Sequence, residues 1–190
     1  MTIQKVDAEA EATIAEAHAK KLDSPNLHLL TYLLAIMKND TAGMAQEIAW
    51  SGGRRGIEDM FLDNEAETSA YSGQLRKSRG LSRKAVASAL QARQKETAAN
   101  YEASAALREA FLGHIVPARQ LAGEGLALFS GRDVQYRAAL VLGLSGDSTR
   151  AQRLANELVI RRLSRKEFVP RLCLRWATAA CDDAENERGG

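Results

Sequence analysis

The sequence is poor in the residues that interrupt or staple a chain: 3 prolines and 2 cysteines occur in 190 residues, and aromatic residues make up 5%. Few prolines leave long stretches free to run as helix, and the abundance of Ala, Leu, Glu, Lys and Arg favours that choice. Sustained alternation of β-branched residues is absent, which argues against a sheet-based core. Cys173 and Cys181 stand eight positions apart on an expected helix, about 12 Å along its axis. That is too far for a bridge, so both read as buried thiols in a reducing compartment. The chain also lacks any stretch approaching 18 uncharged apolar residues, and Met1 to Asp7 is no basic segment leading into an apolar run. It therefore reads as soluble and cytoplasmic, neither exported nor membrane-spanning.

Constellations that carry chemistry are missing too. His18, His28 and His114 are isolated, with no HxxxH partner and no Cys at ligand spacing, which excludes zinc and di-metal chemistry. Cys173 has no base nearby in sequence to make it a nucleophile. Gly52, Gly53 and Gly56 bracket Arg54 and Arg55, but no strand precedes them and no GK[ST] follows, so a connector explains them better than a phosphate loop. Glu65, Glu67, Glu102 and Glu109 could serve as acid and base only if burial split their pKa values; they read as groove or surface charges. The expectation is a protein with no catalytic residues, no metal and no cofactor.

The net charge of +2 hides an asymmetry. Residues 1–70 carry 6 Lys and Arg against 12 Asp and Glu, residues 71–180 carry 19 against 8, and the last ten carry 1 against 4. A basic centre suits an acidic partner, although solvated helix faces also collect charge. Two clusters stand out, Arg76, Lys77, Arg79, Arg83 and Lys84, and Arg161, Arg162, Arg165 and Lys166. On one face they would give salt-dependent nucleic-acid binding, but helical spacing scatters them and no aromatic residues interleave for stacking.

What the sequence does contain is a recurrence. A small residue is followed seven positions later by glycine, five later by another small residue, and seven later by a third site: Ala66, Gly73, Ser78, Ala85, then Ala106, Gly113, Ala118, Gly125, then Ala139, Gly146, Ala151, with Leu158 at the last site. A fainter copy through Asn39, Met44 and Ser51 places the turn residue at 39, 73, 113 and 146, at intervals of 34, 40 and 33. Such a period marks stacked helix pairs. Each pair needs small side chains where its helices approach and a left-handed residue to end the first helix. The pattern predicts helices over Gln4–Leu22, Asn26–Lys38 and Thr41–Trp50, then the pairs Ile57–Tyr71 with Leu75–Ala92, Thr97–Leu112 with Pro117–Ala127, and Asp133–Leu144 with Ser148–Arg162. Asp133 and Ser148 are expected to cap their helices.

The stretches "YRAALVLGLSGDSTRAQRLANEL" (Tyr136 to Leu158) and "YEASAALREAFLGHIVPARQLAGEGLAL" (Tyr101 to Leu128) resemble tetratricopeptide repeats, and the resemblance covers roughly Pro25 to Arg162. "LDSPNLHLLTYLLAI", "AYSGQLRKSRGLSRKAV" and "GRDVQYRAALVLGLSGD" are similar to the arrays that follow kinase or winged-helix domains in large bacterial signalling proteins. The resemblance implies an all-α, right-handed solenoid of about 3.5 to 4 antiparallel helix pairs over residues 1–163, a fragment of a longer array. A terminal helix over 164–181 and a disordered acidic tail over 182–190 would follow. Open ends of such an array invite self-association through Val6, Ile14 or Trp176.

In tetratricopeptide arrays the first helices of successive units line a concave groove. By register the resemblance places there Asn26, Leu29, Leu33 and Met37; Met60, Asp63, Glu67 and Tyr71; Asn100, Leu107 and Phe111; and Asp133, Tyr136, Leu140 and Leu144. Leu33, Leu107 and Leu140 also fit a core role. The set mixes aromatic anchors with amide and carboxylate groups, which suits a peptide or protein partner whose backbone needs hydrogen bonds. Nucleic acid or an acidic partner on the basic face of residues 76–84 and 161–166 is the alternative.

Overall fold

The computed structural model describes the backbone of residues 3–165 and the side chains of residues 9–159 other than His18. The expected terminal helix beyond Arg165, the acidic tail, the side chain of Val6, both cysteines, Trp176 and the side chains of the cluster at 161–166 lie outside the described residues. Within them the protein is all-helical: α1 (Ile3–Ala19), α2 (Pro25–Met37), α3 (Thr41–Ser51), α4 (Glu58–Tyr71), α5 (Leu75–Gln91), α6 (Lys95–Phe111), α7 (Ile115–Leu128), α8 (Arg132–Leu144) and α9 (Ser148–Arg165).

Local chemistry sets the ends of these helices. Pro25 opens α2 where its missing N–H is not needed, and the Ser24 hydroxyl accepts from Leu27 N–H at 3.3 Å. Asp40 caps α3 by accepting from Gly43 N–H at 2.9 Å. The turns that follow α2, α4, α6 and α8 are the same device repeated. Asn39, Gly73, Gly113 and Gly146 take φ of 54°, 76°, 78° and 76°. The residue after each donates its N–H five positions back, as Gln74 does to Ser69 O at 2.8 Å and Asp147 to Leu142 O at 2.8 Å. Left-handed backbone at that position closes a helix and satisfies its last carbonyls. Arg93, between α5 and α6, makes the same turn at φ 61° without being glycine, a place the recurrence does not mark.

Two capping expectations are corrected. Asp133 lies inside the first turn of α8, which starts from Gly131 with no side-chain cap. At α9 the carboxylate of Asp147, not the hydroxyl of Ser148, accepts from Arg150 N–H at 3.2 Å. Asp147 already stands in the required position because the preceding turn ends there. α6 also begins two residues earlier than its pattern, at Lys95, and α7 begins at Ile115 with Pro117 in its first turn.

Successive helices pack on one another, α2 on α3, α4 on α5, α6 on α7 and α8 on α9, and α6 also lies against α8. The core changes character along the chain. Near α2, α3 and α4 it is aromatic: Tyr32 and Phe61 are 1% exposed and meet edge-to-face at 6.0 Å, with Trp50 also 6.0 Å from Phe61. From α6 to α9 it is built of alanine, with Ala106, Ala110, Ala118, Ala122, Ala138, Ala139 and Ala151 buried beside Val141, Leu142 and Leu154. Ala66, Ala85, Ala106 and Ala118 are wholly buried, and Ser78, Ala139 and Ala151 nearly so. Gly125 shows why a site of this kind stays small: a Cβ there would stand 3.1 Å from the Ala99 carbonyl oxygen of α6. No helix among the described residues is long and apolar enough to cross a membrane.

Candidate functional site

Polar side chains join the first helices of successive pairs. Tyr32 of α2 meets Thr68 of α4 at 3.3 Å, oxygen to oxygen, and the Tyr101 hydroxyl of α6 donates to Asp59 Oδ2 of α4 at 2.9 Å. Arg108 of α6 donates to Glu67 of α4 at 3.1 Å and to the Ser82 hydroxyl of α5 at 2.6 Å, with Asp63 Oδ1 at 3.6 Å. Arg137 of α8 donates to Asn100 Oδ1 of α6 at 2.7 Å. One polar seam therefore runs from α4 across α6 to α8.

Burial controls the electrostatics of that seam. Desolvation pushes the Asp63 carboxyl up from 3.8 to about 6, against the opposing pull of Arg108 and with Glu67 adding to the rise. Arg137 also acts on it from α8. Asp59, 1% exposed, and Asp63 each have one carboxylate oxygen with no hydrogen-bond partner among the described residues. Desolvation, followed by the charge of Asp59, raises the Tyr101 phenol, so it stays a donor at every physiological pH. An array of anions, a guanidinium and an amide on three helices can hydrogen-bond a peptide backbone or bind a cationic side chain.

The expected groove residues divide into two groups. Asp63, Glu67 and Asn100 come together, held by Arg108 and Arg137, which the register of candidates omits although Arg108 follows Leu107 and Arg137 follows Tyr136. Met60, Tyr136 and Leu140 are half-buried on the same helices. Asn26 and Asp133 sit exposed in the first turns of α2 and α8, Asp133 engaged by Arg132 at 3.1 Å. Tyr71 and Phe111 end α4 and α6, one turn beyond Glu67 and Arg108 of the seam, and are 95% and 71% exposed.

The other clusters have structural partners. Lys77 pairs with Glu65 at 2.8 Å, and Arg79 forms a two-pronged bond with Glu109, both contacts at 2.7 Å. The Arg79 hydrogen bond, chiefly, holds the Glu109 carboxyl below its ordinary range, and His114 adds to it at 2.8 Å. Of the first basic cluster, Arg76, Arg83 and Lys84 make no ion pair among the described residues. His28 stacks on Trp50 with ring centres 3.5 Å apart, its two nitrogens facing Glu47 at 2.6 Å and Asp23 at 2.8 Å, while Arg54 covers the other ring contact at 4.3 Å from Trp50. With one ring nitrogen on Glu47 of α3, His28 links α2 to α3. No group of three His, Cys, Asp or Glu among the described residues is arranged to hold a metal ion. Set against known proteins, the chain matches no family model, no curated protein and no solved structure.

Proposed function

We infer that this protein is a non-catalytic interaction scaffold: a right-handed, tetratricopeptide-like stack of helix pairs that binds a peptide or partner protein along its first helices, in the cytoplasm. The observation that carries the reading is the polar seam over α4, α6 and α8. Its Asn100–Arg137 and Arg108–Glu67 contacts tie neighbouring pairs together while presenting the exposed Glu67 carboxylate and the half-buried Asn100 amide to donors from outside. A partner backbone or cation supplies donors of that kind. The repeated turns and the packing of consecutive helices support the stacked arrangement.

The rival reading is nucleic acid or an acidic partner on the basic face of residues 76–84 and 161–166, where Lys77 and Arg79 pair with Glu65 and Glu109 while Arg76, Arg83 and Lys84 make no ion pair among the described residues. To test the groove, a photoreactive phenylalanine derivative replaces Tyr136, and separately Lys84 on the exposed face of α5. Illumination in host extract should give discrete protein adducts from position 136 and none from 84. Adducts identical at both positions, or absent from 136, would remove the groove assignment.

A further inference from the structure

The last residue of each first helix is a large apolar side chain left in solvent: Met37 ends α2, Tyr71 α4, Phe111 α6 and Leu144 α8, 55%, 95%, 71% and 43% exposed. Each precedes its left-handed turn residue by two positions, so the exposure repeats with the pairs. Side-chain links place the turns beside one another. Arg79, six residues after Gly73, reaches Glu109 and His114 at the next turn, with its guanidinium 3.1 Å from His114 Nδ1. Arg119, six residues after Gly113, donates to the Ser145 carbonyl at the turn after that. The same kind of residue at the same repeat position thus aligns the turns at Gly73, Gly113 and Gly146 along one edge.

That edge is apolar with a basic border. Val116, 78% exposed, joins Phe111 at the start of α7. A shallow depression beside Tyr71 is lined by Gly73, Gln74, Leu75, Arg76 and Lys77. Arg76 has no acidic partner among the described residues, and Arg119 is bound to a carbonyl and not to a carboxylate. Exposed apolar rows rimmed by polar residues mark interaction surfaces, and a cation without an acidic partner, as Arg76 is, favours a partner of opposite sign.

We propose that this turn edge, which borders the groove of the first helices, docks an acidic polypeptide segment that carries aromatic or aliphatic side chains. α4 and α6 are joined through long side chains, Arg108 to Glu67 and Tyr101 to Asp59, so a segment needs more than one apolar side chain to engage Tyr71 and Phe111 together. Aliphatic side chains such as Val116 and Leu144 offer nothing to a base stack, which favours a peptide over a nucleic acid.

A random peptide library displayed on phage is selected against the whole chain, and the enriched peptides are synthesised and titrated by fluorescence anisotropy. They should be rich in Asp or Glu and carry more than one Phe, Trp or Leu. Affinity should fall at least tenfold with Tyr71→Ser/Phe111→Ser and several-fold with Arg76→Glu, while Arg137→Ala leaves it unchanged; both sets of side chains are exposed, and circular dichroism checks that helicity is kept. Three results overturn the edge: no enriched peptide, enriched peptides insensitive to those substitutions, or binding confined to a single-stranded oligothymidylate probe and abolished by moderate salt. Loss on Arg137→Ala alone would assign the peptides to the groove, so failure of the edge and failure of the groove are read separately.

Discussion

Asp63 concentrates the conflict in the polar seam. Burial raises its carboxyl to about 6 from 3.8. The folded chain therefore keeps the proton after the unfolded chain has released it, and this group makes stability fall as pH rises from about 4 to about 6, by up to about 3 kcal/mol. Glu109 works in the opposite sense: held down chiefly by the Arg79 hydrogen bond, its contribution is present at neutral pH and is lost as acid protonates it. Asp63→Asn should flatten the slope between pH 4 and 6 and raise stability at pH 7 by on the order of 1 kcal/mol, since Arg108 keeps Glu67 and Ser82. Urea unfolding at several pH values measures both; a loss of stability at pH 7 would mean that the attraction of Arg108 outweighs burial. At this scale the sequence discloses Asp63, Glu67 and Asn100 as polar residues on first helices. It does not disclose Arg108 and Arg137, because a cation's partner 30 to 40 residues away depends on how far one helix slides along the next. Tyr71 and Phe111 fit the register of the groove, one turn on from Glu67 and Arg108, and as the last residues of their helices they also border the turns.

Two glycines of α7 separate packing from propensity at the scale of one element. A Cβ on Gly123 would meet nothing within 4 Å, whereas on Gly125 it would press to 3.1 Å from the Ala99 carbonyl and 3.4 Å from Glu102 Cβ. Gly123→Ala should stabilise the protein by about 0.5–1 kcal/mol, through the lower entropy cost of alanine in a helix. Gly125→Ala should destabilise it by about 1–3 kcal/mol through overpacking. Thermal unfolding of the two variants is the check, and shifts of the same sign would contradict the close approach of α6 and α7. The helices themselves were legible because spacing and turn chemistry agree at Asn39, Gly73, Gly113 and Gly146. Their starts were less so: without a dedicated cap residue, as at Gln94 and Gly131, nothing local marks the first turn. Arg93 carries no such signal, since arginine rarely takes the left-handed backbone that it adopts there.

For the whole molecule, the alanine core of α6 to α9 sets how close the helix pairs lie, and with that the geometry of any surface they share. Ala139 is 2% exposed in that core, so Ala139→Arg should unfold the pair α8 and α9, seen as lost helicity and a lower melting temperature. A folded variant with unchanged melting would show that α8 does not pack as described. The recurrence of 34, 40 and 33 residues shows in the sequence that helix pairs follow one another. It leaves open which surface meets a partner, because groove and edge draw on neighbouring residues of the same helices. The central claim is that the first-helix face binds a protein. Its most direct test is capture from host lysate at low and moderate salt, with the wild-type chain and a Tyr136→Ala/Arg137→Ala variant as baits. The account predicts a protein retained by wild type at both salts and lost by the variant. The same protein on both baits, or nucleic acid alone at low salt, would contradict it.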